Sequence, residues 1–523
     1  MKTAVLDDFN QTNDATILLA AQAALLLEKE DVIEKKSEVI SSQKKRIALL
    51  EEALRLSKIK RFAPSSEKGN QGLLFDEAES IDIEMPIDPT EANVKKKKPG
   101  RKPFSDQLPR EQVFINLTAA EKEGAIDTFY TKVKEELDII PAKVRILEIM
   151  QEKAVFLEKG QRRIISATLP KHPIERAMGS VSLMCFVIIA KYADGLPLYR
   201  LEKILARYGG EISRATLANW VIALAKQLQP LINLLREHQN SGNQIQLDET
   251  RVKVLKEPDK PATSNKYMWV SLGGPPDEKS VLFEYDPSRC KEVPLRLLEG
   301  FSGYLQTDGY AGYDFVSRKN NLIQLGCWDH ARRKFKEAQL ALPKAKNNAK
   351  PAKAVVALSL ISQLYKVERA IKDKPASEIV QQRKKFSLPI LNKLKLFLEN
   401  NQSKIPKDSL TGIAMTYLKN QWPKLTVYCT NGELRISNIM AENAIRPFVI
   451  GRKAWLFSDT PAGANASATH YGLIETAKLN ELEPYDYLKR VLTAIPYAKT
   501  VDDIEALLPW NIKKQIEREL QGR

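Results

Sequence analysis

The pattern of apolar and polar positions begins with a heptad repeat. Between residues 15 and 62 no proline or glycine occurs, and apolar side chains recur every seven positions: Leu19, Leu26, Ile33, Ile40, Ile47 and Leu54. This is the period of a coiled-coil seam, although the alternate seam positions are mostly polar. We therefore predict a long helix within residues 1–63 that self-associates into a homodimer or a higher oligomer. Packing of this helix on its own domain is the alternative.

Residues 64–104 show no regular repeat of apolar positions that would predict a packed helix or strand. The acidic stretch "FDEAESIDIEMPIDPTE" is followed by the basic run "KKKKPGRKP", and prolines punctuate both. Such a composition is typical of a flexible linker. Lys97 and Arg101 in the basic run could lie along DNA phosphates or enter a minor groove, or they could be ordinary solvated charges.

Two small segments follow that we interpret as DNA-binding modules. Residues 105–170 mix the strand-like pieces "KVRILEIMQ" and "KAVFLE" with charged turns, which predicts a small α+β module. Residues 171–240 look helical and begin with the apolar run "VSLMCFVIIA", which reads as a buried helix.

A helix-turn-helix pattern lies within the second of these segments. One amphipathic helix ends at Gly209 and Gly210, and Ser213 has the position of a cap for the next helix. The second helix of such a pair can enter a major groove, where Arg214 and Asn219 would face base edges. Helical hairpins that bind no DNA are the alternative.

From residue 245 the pattern changes to strands. Three apolar runs with Gly- or Pro-rich turns, "IQLDETRVKVL", "KYMWVSLGG" and "SVLFEYD", are followed by strands alternating with helices, "GYLQTDGYAGY" and "NLIQLG". This order predicts a mixed α/β core over residues 241–335, completed by residues 429–480. The helical pattern of residues 336–428 predicts an all-helical insertion, with strand signals resuming at "LTVYC". A helical tail over residues 481–523 completes a multidomain α+β chain.

Three acids in this core could form one site. Asp248 and Asp308 each end an apolar strand, so they can lie side by side at one edge of a mixed sheet. Glu442 is the strongest candidate for a third acid, supplied by a helix packed on that sheet. Convergent carboxylates suit Mg²⁺ or Mn²⁺, and two such ions can support in-line phosphoryl displacement. Each acid taken alone has a structural interpretation as a turn or surface residue.

Composition and charge narrow the class of protein. Lysine and arginine number 81 against 65 acids, a net charge of +16, which suits a nucleic-acid partner. The four cysteines are scattered, which argues against a disulfide framework and for a reducing cytoplasm. Acids near the N-terminus argue against a signal peptide, and the longest apolar run is too short to span a membrane.

Several motifs together closely resemble transposases of the insertion sequence 66 family. They occur in the family's order over about residues 140–512: "LPLYRLEKILARYG", "LDET", "GYLQTDGYAGY", "CWDHARRKF", "AENAIRPFVIGRKAWLF", "LIETAKLN" and "LLPWN". The N-terminal helix followed by "KRFAPSSEK" is similar too. The resemblance implies a ribonuclease-H-like core whose Asp-Asp-Glu metal site, matched by motif, is Asp248, Asp308 and Glu442. It also implies a bacterial protein with double-stranded DNA as partner and accessory proteins encoded beside it.

One departure from the family concerns zinc. Family members usually carry a cysteine-paired zinc-binding segment before the core, but this chain has no cysteine before Cys185, so we predict no zinc there. Cys327 and His330 have metal-like spacing, yet a lone pair is a weak signal. We interpret His330 as a supporting or DNA-contacting residue rather than a ligand.

Basic residues near the acids are candidates for DNA contacts. They are Arg332, Arg333, Arg446, Arg452 and Lys453, with an ordinary solvated face as the alternative. The leading functional hypothesis is a transposase that binds terminal inverted repeats, cleaves DNA at the element's ends and joins the freed 3′-hydroxyl to target DNA. The alternatives are a catalytically inert helix-turn-helix regulator and a metal-dependent nuclease of the same fold.

Overall fold

The structure of the protein is a computed structural model. It describes residues 2–62, 110–118, 120–123, 127, 129–136, 143–158, 161–310, 312–319, 322–343 and 351–521. The predicted linker, with Lys97 and Arg101, lies outside the described residues, as does the side chain of Leu19 in the heptad repeat.

The first element is a single long helix, α1 (Lys2–Phe62), which fills nearly all of the predicted range 1–63. The described apolar heptad residues are all at least 50% solvent-exposed, and Ile33 is 62% exposed. Polar residues near the C-terminal end of α1 contact the helical insertion: Arg55 Nε donates to the carbonyl of Ala341 (2.9 Å), and Lys60 pairs with Glu337.

Among the described residues of the segment 105–170, one hairpin is formed. Strands β1 (Lys153–Glu158) and β2 (Gln161–Ser166) pair antiparallel. The predicted strand "KVRILEIMQ" is wrong, because its described residues form no strand. Apolar side chains there, such as Ile146 at 90% exposure, pack against no neighbouring strand that could order the backbone.

Four helices then precede the sheet: α2 (Val181–Tyr192), α3 (Leu198–Arg207), α4 (Arg214–Gln227) and α5 (Gln229–Asn240). The predicted buried helix is α2. The turn between α3 and α4 also follows the sequence prediction: Gly209 has a φ of 84°, and the Ser213 hydroxyl accepts a hydrogen bond from the N–H of Thr216.

The core sheet has five strands in the order β5-β4-β3-β6-β7. The three long strands, β3 (Gln244–Val252), β4 (Lys266–Gly273) and β5 (Ser280–Asp286), pair antiparallel. Two short strands, β6 (Tyr304–Gln306) and β7 (Ile323–Leu325), extend the sheet in parallel from β3. Helices α6 (Glu292–Leu297) and α7 (Gly312–Lys319) flank β6.

Strand β6 is much shorter than the predicted strand over "GYLQTDGYAGY". It stops after Gln306, and α7 begins within the predicted range. The physical reason is a turn: Asp308 Oδ1 accepts the N–H of Tyr310 (2.9 Å), so the backbone leaves the extended conformation at Asp308.

After β7 the chain enters the helical insertion. Its helices are α8 (Trp328–Leu340), α9 (Lys353–Ile371), α10 (Ala376–Gln382), α11 (Leu388–Gln402) and α12 (Leu410–Leu425), with a π-helical turn at Arg383–Ser387. The predicted strand at "LTVYC" is wrong, since Val427–Cys429 is a 3₁₀ turn. Buried Arg383 donates hydrogen bonds to the carbonyls of Tyr428, Asn431 and Leu434. These carbonyls are therefore paired with a side chain and not with a neighbouring strand.

Five further helices complete the chain: α13 (Ile439–Trp455), α14 (Pro461–Leu479), α15 (Pro484–Ala494), α16 (Val501–Glu505) and α17 (Pro509–Gln521). Within the part of the chain that the structure describes, no helix combines the length and apolar character needed to cross a membrane.

The two faces of the sheet are covered differently. Alternate residues of β3, Ile245 and Leu247, pack with α6 and α7 around Trp269. The opposite face packs against α13 and α14, where Val252 and Val270 meet Phe448. Because side chains alternate along a strand, Gln246 and Asp248 share the face that α13 covers. The sheet therefore presents its polar β3 residues to the helix that carries Glu442.

Candidate active site

Asp248 and Asp308 lie at equivalent positions on two neighbouring parallel segments of the sheet. The parallel pairing of β3 with β6 ends where Gln246 meets Gln306, and each aspartate lies two residues further along its chain. Both residues are of intermediate burial. The two carboxylates therefore follow adjacent strands at one edge of the sheet.

The electrostatic environment of Asp248 shows that the acids converge. Its pKa is held well above its usual range, first by burial and then by the negative charges of Glu249, Glu442 and Asp308. A neighbouring negative charge raises the pKa of a carboxyl group, because it disfavours the charged form. The structure thus brings the three sequence-predicted acids into one electrostatic cluster.

Glu442 lies in the first turn of α13 and is 4% exposed. The helix has Asn438 at its N-cap, but the Asn438 side chain makes no capping hydrogen bond. Gln246 on β3 does so instead: its Oε1 accepts the N–H of Ala441 (3.1 Å). A residue two positions before Asp248 therefore caps the helix that carries the third acid.

The cap belongs to a buried amide network below the acids. Gln246 Nε2 donates to Gln306 Oε1 (2.7 Å) and to the carbonyl of Ser437 (3.3 Å). Gln306 Nε2 in turn donates to the carbonyl of Arg435 (2.9 Å). Each glutamine precedes an aspartate by two residues, so one network holds both strands and the chain that leads into α13.

The far end of α13 is attached to the same strand. A parallel bridge joins Val254 to Ser458, just beyond the helix. Along the helix, Arg452 Nη1 donates to Thr250 Oγ1 (3.2 Å). Since β3 holds α13 at both ends, the position of Glu442 relative to Asp248 is fixed by the fold.

The first turns of α8 supply two groups close to Glu442. His330 Nδ1 lies 3.6 Å from Glu442 Oε1, and Arg333 Nη2 lies 3.5 Å from Glu442 Oε2. Cys327 is the buried N-cap residue of α8. Cys327, His330 and Glu442 each place one potential ligand atom within 4.8 Å of the other two. Among the described residues this is the one group of three or more potential ligands so close together, and it does not include the aspartates.

The carboxylate of Glu249 lies on the other side of β3. Arg289 Nε donates to Glu249 Oε1 (2.6 Å), and the Tyr313 hydroxyl donates to Glu249 Oε2. The guanidinium of Arg289 also lies 3.9 Å from the ring centroid of Tyr310, which follows Asp308. Glu249 therefore links the Asp308 turn to β3, and its negative charge acts on Asp248 as well.

The basic candidates are distributed over three helices. Arg332 and Arg333 are partly buried on α8, as are Arg446 and Arg452 on α13, whereas Lys453 is exposed. Arg214 and Asn219 are exposed on α4, the second helix of the helix-turn-helix. The α8 and α13 residues lie on the two helices that meet at Glu442, and those of α4 belong to a separate surface.

The donor set fits a hard divalent cation. Three carboxylates that repel one another, one of them with a strongly raised pKa, are the arrangement that a bound cation relieves. Sequence reasoning missed Gln246 and Gln306, which link the two aspartate strands to the start of α13. The available signal was a glutamine two residues before each aspartate, in "QLDET" and "QTDG".

A mixed five-stranded sheet with a carboxylate edge is consistent with the catalytic core of Asp-Asp-Glu enzymes that act on nucleic acid. Comparison with protein families agrees: residues 176–466 match the "Transposase IS66 family" model, residues 472–510 match the "IS66 C-terminal element", and residues 49–113 match "Transposase C of IS166 homeodomain". The chain belongs to the IS66 family of transposases. Membership implies DNA as a partner and the use of a divalent metal.

The chain is also similar to proteins of Sinorhizobium fredii. The chain is 30% identical to "Uncharacterized protein y4qI" over 515 residues, which cover 95% of this chain and 93% of the relative. It is 29% identical to "Uncharacterized protein y4jD" over 421 residues, covering 78% and 81% of the two chains. The similarity to y4qI therefore includes the regions on both sides of the core.

Proposed function

We propose that the chain is the transposase of an insertion sequence, which binds the terminal inverted repeats, cleaves DNA at the element's ends and joins them to target DNA. The observation that carries the proposal is the convergence of Asp248 and Asp308 at neighbouring strand ends with Glu442 on a helix held to β3 at both ends. The sheet order, with three antiparallel and two parallel strands, supports a ribonuclease-H-like core.

Asp248, Asp308 and Glu442 would hold two Mg²⁺ or Mn²⁺ ions, which supply an activated water or 3′-hydroxyl and stabilise the leaving oxygen. The aspartates are partly exposed and so can meet a phosphodiester, whereas Glu442 is buried behind them. Arg333 Nη2 lies 3.5 Å from Glu442 Oε2 and His330 Nδ1 lies 3.6 Å from Oε1, so the two side chains flank the Glu442 carboxylate. Their role is to orient that carboxylate.

DNA is proposed to lie across α8 and α13. Arg332, Arg333, Arg446, Arg452 and Lys453 are the candidate phosphate contacts on these helices, and the net charge of +16 favours a polyanion. The exposed Arg214 and Asn219 on α4 are candidates for base contacts. Lys97 and Arg101 stay predictions from sequence.

Self-association through α1 is part of the proposal. Ile33 and Ile40 are at least half exposed on a helix of 61 residues. Apolar heptad positions left uncovered by their own chain are the surface that a second α1 would bury.

The test is strand cleavage and joining on a DNA duplex that carries the element's inverted repeat, with Mg²⁺. Asp248→Ala, Asp308→Ala and Glu442→Ala should each reduce cleavage below detection while retaining binding to the repeat. As a matched control, Asp314→Ala removes a partly exposed acid of α7 that pairs with Lys424, away from the carboxylate edge. Cleavage without joining would favour a nuclease, and repeat binding without any cleavage would favour a regulator.

A further inference from the structure

We propose that Cys327, His330 and Glu442 form a second metal site, selective for a soft divalent ion such as Zn²⁺, whose occupation inhibits the enzyme. The inhibitory consequence rests on the function proposed above, because it requires Glu442 to serve the Mg²⁺ site. The binding site itself rests only on the geometry of the three side chains.

The spacing of the ligand atoms suits one ion. The three atoms lie within 4.8 Å of one another, and His330 Nδ1 lies 3.6 Å from Glu442 Oε1. Zinc bonds of about 2.0–2.3 Å in a tetrahedron place neighbouring ligand atoms about 3.3–3.8 Å apart. A small closure of the group around an ion therefore satisfies all three ligands.

The chemistry of the ligands selects a soft ion over Mg²⁺. A thiolate and an imidazole favour zinc, whereas magnesium takes oxygen ligands. Cys327 is also placed to carry a metal-bound thiolate, because it is the buried N-cap residue of α8, where the helix dipole favours negative charge. Burial and the charges of Asp329 and Glu442 raise the pKa of the free thiol well above its usual range, so the ion must displace the thiol proton on binding.

The site is preorganised by elements that the fold already holds. Cys327 and His330 belong to the start of α8, and Glu442 to the start of α13, whose N-terminus Gln246 caps. Arg333 faces Oε2 of Glu442, whereas His330 faces Oε1. An ion bound through Oε1 thus need not occupy the position of the guanidinium.

Sharing Glu442 links the two sites. An ion held by Cys327 and His330 keeps the Glu442 carboxylate on the α8 side, away from the aspartates. The fold therefore contains a point at which zinc and magnesium compete for one carboxylate.

Binding can be tested with cobalt as the probe, because Co²⁺ in a tetrahedral site with a thiolate gives a charge-transfer absorption. We expect the purified, chelator-treated full-length protein to show this band with one equivalent of Co²⁺ and to lose it when Zn²⁺ is added. Cys327→Ser should abolish the band and weaken Zn²⁺ binding more than about 100-fold, beyond the 10–100-fold cost of losing an outer-shell partner. His330→Ala provides a second variant with the same expectation.

Cys429→Ser is the matched control, because Cys429 is also a buried, free cysteine but lies in the 3₁₀ turn after the insertion. It should keep the band. A wild-type protein without the band, or a folded Cys327→Ser variant that retains it, would overturn the proposed site.

Inhibition is measured separately, as the ratio of Mg²⁺-dependent cleavage rates with and without one equivalent of Zn²⁺. We expect a loss of about tenfold or more in the wild type, equivalent to about 1.4 kcal/mol, and a much smaller loss in Cys327→Ser. Equal inhibition of both proteins would overturn the competition for Glu442. If the wild type never cleaves DNA, the proposed function fails, while the cobalt band still decides whether the metal site exists.

Discussion

The buried amide network makes a quantitative prediction about Gln246. Replacement by leucine removes the cap on the Ala441 N–H and the donors to Gln306 and Ser437. A lost helix cap costs about 1 kcal/mol. A buried polar group left without its partner costs about 1–3 kcal/mol. We therefore expect Gln246→Leu to lower the free energy of unfolding by about 2–4 kcal/mol.

The same substitution should affect catalysis beyond its effect on stability. Gln246 fixes the start of α13 relative to both aspartate strands, so its loss allows Glu442 to shift. A misplacement of about 1 Å can cost about 100-fold in rate. We expect a drop of that order in the cleavage rate, together with a higher Mg²⁺ concentration for half-maximal rate, measured where the variant is still folded.

Gln239 provides a matched control. It is 2% exposed, like Gln246, and its Nε2 donates to the carbonyls of Ser271 and Ser280 on β4 and β5. Gln239→Leu should cost comparable stability and leave the Mg²⁺ requirement unchanged. The reasoning is refuted if both variants raise the Mg²⁺ requirement equally, or if Gln246→Leu leaves rate and requirement unaltered.

Three further predictions concern charge, assembly and pH. Asp248→Asn should raise the melting temperature of the metal-free protein, because burial and neighbouring negative charges, which raise the Asp248 pKa, disfavour a charged side chain at this position. Mg²⁺ should stabilise the wild type more than the variant. Calorimetry with and without a chelator measures both effects. Ile33→Asp with Ile40→Asp should weaken self-association in sedimentation, and an unchanged mass would contradict it. Burial lowers the pKa of His470 to about 4, below the value of about 6.5 expected in the unfolded chain. Between these pH values the unfolded state binds a proton that the folded state does not. The free energy of unfolding should therefore fall by up to about 3 kcal/mol as the pH drops from 6.5 to 4. In denaturant titrations, the free energy of unfolding of His470→Gln should depend less on pH than that of the wild type. An identical pH dependence in both proteins would contradict the role given to His470.

Local patterns were enough to predict much of the fold. The strands around Asp248, the helical insertion and the capped turn at Ser213 all have strong short-range signals, because hydrophobic alternation and cap chemistry act within a few residues. The strand predicted at "KVRILEIMQ" failed because strand formation depends on a partner strand, which a local pattern does not contain.

The candidate site was only partly accessible from sequence. Asp248 and Asp308 could be paired because strand ends at one edge are neighbours. Glu442 needed the family resemblance to support it, since a helix acid looks like any surface residue. The repeated glutamine two residues before each aspartate is visible in the sequence, but the role of Gln246 depends on tertiary contacts with the start of α13, which no local pattern contains.

The most direct test of the carboxylate site is anomalous scattering from crystals of the protein bound to a cleaved DNA end in Mn²⁺. We expect two peaks about 4 Å apart, each within about 2.0–2.6 Å of carboxylate oxygens of Asp248, Asp308 or Glu442. Peaks located elsewhere, with Glu442 still turned toward Arg333 and His330, would contradict the assignment of these three acids as the metal-binding catalytic site.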